Sequence, residues 1–356
     1  MKAFGELFID ETKKGIKLQT SEYKKQGNHI IVDQGKNPIA GYTDREKGLF
    51  EDVPVIIFGD HTRVIKYVDQ PFFLGADGVK ILRSKDKNSN YKYLYYALRN
   101  ANIPDTGYNR HFKWLKETKI NYPSVAMQDE IVKILDKLSD IIDRRKTQLQ
   151  GLDNLIKARF VEMFGDCSNM VLLNDLCLII TDGTHQPPKF QEKGIPFILV
   201  SNLSNNTVTY NTEKYISEET YNELYKRTPI EPGDLLLSTV GSYGHPAVVT
   251  EDIRFLFQRH IAYLRPKREL VNSFYLHSAL LAPDGQRQIE EKVKGIAQKT
   301  LNLSEIRKIM IPLPKMEEQD KFAAFVHQVD KSKVVVQKAL DEAQLLFDSL
   351  MQKYFG

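Results

Sequence analysis

The sequence predicts a mixed α/β (α+β) protein: two small domains with bent β-sheets and helices, separated by two long helices that pair as an antiparallel coiled coil. The first observation behind this is a repeat. Ile120-Asn121-Tyr122-Pro123 through Gln128-Asp129 to Phe164-Gly165 lines up, at a constant offset of 191, with Ile311-Pro312-Leu313-Pro314 through Gln319-Asp320 to Phe355-Gly356. The second is that both copies carry apolar residues at the same helical spacing, Ile131, Leu135, Leu138, Leu149 and Ile156 matching Phe322, Val326, Val329, Leu340 and Phe347. The third is that over a hundred residues precede each copy, enough for a domain with its own core. The predicted division is therefore domain 1–119, helix 120–165, domain 166–310 and helix 311–356.

In the first domain, Ile30–Val32, Val53–Phe58, Arg63–Val68 and Gly78–Leu82 are short β-rich runs between Gly, Asn and Asp clusters, and Tyr91, Leu94, Tyr95 and Leu98 mark a helix. The second domain follows the same plan. Strands are expected at Phe197–Val200, Asp234–Thr239, Pro246–Thr250 and His260–Leu264, with a helix near Asn272–Leu281 and a capped helix start at Ser217.

The long helices each present one seam. In the first it runs Ile131, Leu135, Leu138, Ile142, Arg145, Leu149, Leu152, Ile156, Arg159 and Met163; in the second Phe322, Val326, Val329, Lys333, Val336, Leu340, Ala343, Phe347, Leu350 and Tyr354. About forty helical residues would reach roughly 60 Å at ~1.5 Å per residue. An antiparallel pair would relate the two halves by a pseudo-twofold axis. Two DNA-reading domains on such a spacer would recognise a site in two parts, the unread gap being set by helix length.

Composition excludes several classes. With 356 residues, 42% hydrophobic and 27% charged, this reads as a globular chain of about two domains. Met1–Thr12 holds no basic segment followed by an apolar run, and no stretch approaches the ~20 apolar residues of a membrane span, so a cytoplasmic location is expected. Cys167 and Cys177 form no zinc or redox motif and are read as reduced thiols. Net charge is only +4, with 28 Lys and Arg against 22 Asp and Glu in residues 1–165, and 22 against 24 in the rest. Nucleic-acid binding would then rest on local patches.

Such patches have candidates in the loops. Tyr42, Thr43 and Arg45; His61, Thr62 and Arg63; and Asn109, Arg110 and His111 are those of the first domain. Thr184, His185, Gln186 and Lys189; Ser242 and Tyr243; Gln258 and Arg259; and Gln298, Lys299, Thr300 and Asn302 are those of the second. Arg, Lys, Gln and Asn can bond to guanine or adenine edges, while Ser, Thr and Tyr suit phosphates. Taken singly, each is better read as a solvated turn residue, and the group is stronger evidence than its members.

In this order of features the chain resembles the specificity subunit of type I restriction-modification systems over nearly its whole length. The segments that carry the resemblance are Asp182-Gly183-Thr184-His185, Pro188-Lys189-Phe190, Gly194-Ile195-Pro196-Phe197-Ile198, and Lys299-Thr300-Leu301-Asn302-Leu303 leading to Ile311-Pro312-Leu313-Pro314 and Gln319. The first domain matches more loosely, through Gly75-Ala76-Asp77-Gly78-Val79 and Asn109-Arg110-His111-Phe112. The resemblance implies two target-recognition domains that read a bipartite, asymmetric double-stranded DNA site, and no catalytic activity. It implies methyltransferase (M) subunits as partners, two of them, that methylate adenine, and restriction (R) subunits that can join. S-adenosylmethionine, ATP and Mg are then expected on partner subunits only.

The residues agree with a non-enzyme. No glycine-rich cofactor loop or phosphate loop is present, and Asn37-Pro38-Ile39-Ala40 lacks the second proline and aromatic of an adenine methyltransferase. Pro104-Asp105 with Glu117-Thr118-Lys119, and Pro283-Asp284 with Glu290-Glu291-Lys292, imitate a metal-dependent nuclease, whose carboxylates must converge on Mg²⁺. The eight histidines show no ligand spacing, so no metal site is expected. The alternatives are a coiled-coil protein-interaction scaffold without DNA specificity and, less favoured by the chemistry, that nuclease.

Overall fold

The computed structural model describes all 356 residues except Ala76, Ile296 and Ala297. Ala76, part of the Gly75–Val79 segment, thus lies outside the described residues. The chain divides into two compact units: Met1–Lys146 with Lys338–Gly356, and Thr147–Gln337. The divisions fall inside the long helices rather than at their ends, because each half-helix buries its apolar face in the core of one unit.

The first unit contains β1 (Lys2–Ala3), α1 (Phe4–Leu7), β2 (Phe8–Asp10), β3 (His29–Val32), β4 (Gly41–Thr43), β5 (Val55–Gly59), β6 (Ile65–Val68), β7 (Phe72–Leu74), β8 (Val79–Ser84), α2 (Tyr91–Arg99), α3 (Phe112–Leu115) and β9 (Lys119–Ile120). It also takes the start of α4 (Val125–Phe164). The second unit takes the rest of α4, then β10 (Met170–Leu172), α5 (Leu173–Leu176), β11 (Cys177–Asp182), β12 (Ile195–Ile198), β13 (Tyr215–Ile216), α6 (Glu218–Leu224), β14 (Leu235–Ser238) and β15 (Pro246–Val248). It continues through β16 (Leu256–Phe257), β17 (Ile261–Pro266), α7 (Ser273–Leu281), α8 (Pro283–Lys292), α9 (Leu303–Ile306), β18 (Met310–Pro312) and the first part of α10 (Met316–Phe355), whose last residues return to the first unit.

One topology is used twice. A four-stranded antiparallel sheet, β2-β8-β5-β6, recurs as β11-β17-β14-β15; a three-stranded sheet, β4-β3-β7, recurs as β13-β12-β16; and the ribbon β1-β9 recurs as β10-β18. Even the single parallel pairing of each small sheet is repeated, β3 with β7 and β12 with β16. The central strand of each larger sheet is buried on both faces, and its period of two splits the core. Ile56 and Phe58 face α2 and the long helices, while Val55 and Ile57 face the small sheet. Leu235 and Leu237 face α7 and the long helices, and Leu236 faces the other way.

In the second unit α4 and α10 run antiparallel: Asp153 meets Lys333 (2.7 Å), and seven residues on Phe160 packs against Phe322. In the first unit Asn121, just before α4, donates to the carbonyl of Tyr354 near the end of α10 (3.3 Å), the same sense. Of the predicted seam, Ile131, Leu135, Ile142, Phe322, Val326, Val329, Val336 and Phe347 are buried, with Leu138, Leu149, Ile156 and Leu340 half-buried. The end of α4 differs from the predicted seam. Arg159 is exposed and bridges Glu162, and Phe160 and Phe164 are the buried residues, because this stretch packs on Tyr275 and Phe322 together rather than on one partner helix. Burying an aromatic of this size stabilises by roughly 1.5–3 kcal/mol.

Each long helix is tied to its unit by a buried glutamine. Gln128 accepts from the backbone N–H of Asn90 (3.1 Å) and donates to Pro123 O (3.0 Å); Gln319 accepts from Asn272 N–H (2.9 Å) and donates to Leu270 O (3.1 Å) and Pro314 O (3.0 Å). Asn90 and Asn272 in turn cap α2 and α7 and bond Asp129 and Asp320.

Several strand ends fall short of prediction for local reasons. β6 starts at Ile65 because Arg63 holds a left-handed backbone (φ 61°). β12 stops at Ile198, before the predicted Val200, because Asn202 ties the chain into a short turn, accepting from Leu199 N–H (3.0 Å) and donating to Thr209 O and Asn211 O (both 2.9 Å).

Candidate nucleic-acid interface

In the second unit four loops meet beside the end of β11. Thr184 N–H donates to Phe257 O (2.9 Å) and Arg259 N–H to Thr184 O (3.0 Å), while Leu301 N–H donates to Thr239 O (2.8 Å) and Gly241 N–H to Lys299 O (3.3 Å). Between them lies a cleft of about 300 Å³ lined by Asp182, Thr239, Arg259, His260, Gln298 and Asn302. Gly183 permits the crowding: a Cβ there would sit 2.2 Å from Phe257 O. Thr184, Gln258, Arg259, Gln298, Thr300 and Asn302 are thus brought together as predicted candidates.

The electrostatics sort them. Arg259 is exposed, has no carboxylate partner among the described residues, and donates through Nε to His260 (3.3 Å). Burial, and then the Arg259 charge, hold the His260 imidazole below its ordinary range, so at neutral pH it offers an acceptor. Lys299 is already committed, to Glu290 (2.8 Å) and the Tyr243 hydroxyl (3.2 Å), and Tyr243 itself donates to Glu290. His185 pairs with Asp182 (2.9 Å), which also holds Arg227 (2.8 Å). Gln186, Lys189 and Ser242 are exposed and do not line the cleft.

The first unit presents a different surface on the equivalent loops. Thr62 is fixed by its hydroxyl to Gln34 O (2.6 Å), and Arg63 pairs with Asp105 (2.6 Å). His61 stacks on Tyr108, rings 4.8 Å apart and nearly parallel at 10°. Tyr108 follows Gly107 (φ 73°) and stands 88% exposed, and beside it Asn109, Arg110, Lys113 and Trp114 line a shallow depression. The predicted groups around 61–63 and 109–110 therefore meet, through Tyr108 and Asp105. Tyr42, Thr43 and Arg45 belong to the small sheet and the turn after it, and Arg45 bonds Lys47 O (3.1 Å).

Two predicted candidates are core residues. His111 is fully buried, its Nδ1 3.0 Å from Asp60 O; Thr43 is 6% exposed and caps Arg45 N–H (3.2 Å). Both side chains are turned into the fold and bonded to backbone groups, Thr43 at the end of β4 and His111 just before α3. The candidates lack Tyr108, Lys113 and Trp114, for which Gly107-Tyr108 and the chain's single Trp were the available signals, and lack Asp182, which lines the second cleft, with its partner Arg227.

The nuclease-like carboxylates do not converge: Asp105 is held by Arg63, Asp284 by Arg287, and Glu290 by Lys299. Among the described residues no three His, Cys, Asp or Glu side chains are grouped to hold a metal ion, and no helix is long and apolar enough to cross a membrane. Cys177 is buried, which pushes its thiol up to about 12 and makes it unreactive.

Comparison with known proteins agrees with this architecture. The type I restriction modification DNA specificity domain matches twice, over residues 2–154 and 168–343. The Escherichia coli type I restriction enzyme EcoBI specificity subunit is 27% identical, over 96% of this chain and 82% of that one; the E. coli EcoR124I/EcoR124II specificity subunit is 24% identical over 88% and 82%. In fold, the chain is similar to the type I restriction-modification S subunit from M. genitalium, with a TM-score of 0.60, 17% identity, and coverage of 100% of this chain and 95% of that one. A chain from a study of complex assembly in the type I R-M system aligns with a TM-score of 0.51 at 17% identity, over 86% and 82%. With two matching domains on a twice-used topology, the chain belongs to the type I restriction modification DNA specificity family, as a non-catalytic specificity subunit.

Proposed function

We propose that this chain selects the DNA site of a type I restriction-modification complex by reading a bipartite, asymmetric double-stranded sequence. The observation that carries this is the pairing of one topology with two unlike surfaces: a cleft with Arg259, His260 and Gln298 in one unit, and an exposed Tyr108 with Asn109 and Arg110 in the other. Identical surfaces would favour a palindrome, whereas unlike ones favour two different half-sites. The long helices act as the spacer that sets the unread gap. Two adenine methyltransferase subunits assemble on the chain and flip the target base into their own pockets, with restriction subunits joining when cleavage is required. S-adenosylmethionine, ATP and Mg belong to those partners, and the complex works in the cytoplasm.

The test is single-molecule mapping of methylated adenine in cells carrying the neighbouring methyltransferase gene, with and without this chain. A gapped, non-palindromic motif that appears only with the chain is the expected result. Methylation that does not depend on the chain would leave a protein-interaction scaffold as the better account. Inserting residues near Gln148 should lengthen the gap and leave both half-sites intact; an unchanged gap would remove the spacer role.

A further inference from the structure

The two units differ at a place away from the base-reading loops. In the second unit the connection from α7 to α9 contains α8, which packs on both of these helices and on β18. From α8 the buried Gln288 spans a single residue of the strand, its Nε2 donating to Met310 O (2.9 Å) and its Oε1 accepting from Met310 N–H (2.8 Å). Gly285 lets the helix seat, since a Cβ there would lie 2.2 Å from Ala279 O.

In the first unit the connection from α2 to α3 is shorter and holds no helix. Lys119 occupies the place of Met310 in the repeat. Phe4 N–H donates to Thr118 O (3.0 Å), so Phe4–Thr118 is a hydrogen-bonded pair of the β1-β9 ribbon and Ala3–Lys119 is a non-bonded one. The N–H and C=O of Lys119 then point away from β1. The second unit has the same phase, with Leu173 N–H on Ile309 O (2.8 Å) and Met310 facing outward to Gln288. No described group takes the role of Gln288 at Lys119. Its backbone instead borders a cleft of about 500 Å³ lined by Ala97, Asn100, Ala101, Trp114 and Phe355. Ala97 stands in α2 where Ala279, the seat of Gly285, stands in α7.

We infer that this cleft docks a helical segment of another protein subunit, one that presents a Gln or Asn carboxamide to the backbone of Lys119 and a small residue to Ala97. At neutral pH the carboxamide is the side chain whose donor and acceptor share one planar carbon, as bridging the N–H and C=O of one residue requires. The second unit satisfies this site from within its own chain; the first unit leaves it for a partner, so the two units are not equivalent in assembly. The inference rests on the chain working as one subunit of a multi-protein complex.

The experiment uses the purified complex of this chain with its methyltransferase subunits. A photo-crosslinker, p-benzoylphenylalanine, placed at the exposed Asn102 on the cleft rim should join the chain to one Gln- or Asn-bearing helical peptide of a methyltransferase subunit. A crosslink to DNA, or none outside the chain, overturns the inference. Lys119→Pro deletes the outward N–H and no ladder bond, and Ala101→Trp fills the cleft without touching the strand. Both should weaken methyltransferase binding at least tenfold while the methylated motif stays the same; undiminished binding in Ala101→Trp overturns the inference. If the wild-type complex methylates no gapped motif, the specificity reading fails instead, and the two failures are told apart.

Discussion

Replacing Gln319 by Leu keeps the side chain's bulk and removes its carboxamide. Three partly buried backbone groups around the buried carboxamide then lose their partner: the N–H of Asn272 (2.9 Å), the carbonyl of Leu270 (3.1 Å) and that of Pro314 (3.0 Å). A buried polar group left unsatisfied costs ~1–3 kcal/mol, and the carbonyls sit at the low end because they can find a second donor. Allowing ~1 kcal/mol in return for the apolar side chain, the net loss is about 3 kcal/mol, or roughly 150-fold in the opening equilibrium. Gln128→Leu strands only Asn90 N–H and Pro123 O, so about 2 kcal/mol, or roughly 30-fold, is expected there. Native-state amide exchange by mass spectrometry separates the two, because the clamps secure different helices. Gln319→Leu should accelerate exchange in α7 and spare α2, and Gln128→Leu should do the reverse. Acceleration of less than about threefold in α7, or equal effects on both helices, would refute the view that each glutamine closes its own unit.

Other substitutions test the reading surfaces and the charges. Arg259→Ala should weaken binding to DNA bearing the intact site by ~5- to 150-fold, the worth of one bidentate base contact, and relax one half-site only. Lys299→Ala should cost under about threefold, since Glu290 and Tyr243 already occupy its ammonium; fluorescence anisotropy that ranks the two the other way would sink the assignment. Tyr108→Ala should lose ~5- to 150-fold through a lost stacking surface, with Tyr108→Trp retaining binding and the salt dependence unchanged in both. A steeper or shallower salt dependence would mean that Tyr108 acts through phosphate contacts. Burial holds the His277 imidazole below its ordinary range, and its Nε2 lies 3.0 Å from Asn206 O. Above about pH 6.5 neither state carries the extra proton; as pH falls below it the unfolded chain is protonated first, so stability drops by at most ~1.4 kcal/mol per pH unit. Urea titrations at pH 7 and pH 5 should show a smaller loss in His277→Gln than in the wild type, and equal losses would count against the assignment.

The duplicated helices were legible because their signal is long and periodic, and because Gln128 and Gln319 mark the same point in each. The seam failed where its target changed: Phe160 and Phe164 answer to a domain core as well as to a helix, and a periodic rule anchored at Ile131 has no access to that. Strands were found where β-branched residues cluster, as at Val55–Gly59, and β10 and β18 were missed because three residues in a ribbon give no pattern of their own. At the candidate interface, loop chemistry picked out Arg259 and Arg110 but also His111, whose imidazole is spent inside the fold on Asp60 O. Exposure separates them, and exposure follows from tertiary packing. Lys299 shows the same limit, since its neutralising Glu290 is contributed by α8.

Because the units divide within α4 and α10, the first unit is assembled from segments at both ends of the chain. On a ribosome adding ~5–20 residues per second, the roughly 190 residues between Lys146 and Lys338 take on the order of 10–40 s. Throughout that interval Ile131, Leu135 and Ile142 await Ala343, Phe347 and Met351, with the part of their apolar stripe that those residues cover left open to water. The unit translated first is thus the one completed last, and the nascent chain should engage chaperones through this stripe until synthesis has passed Met351.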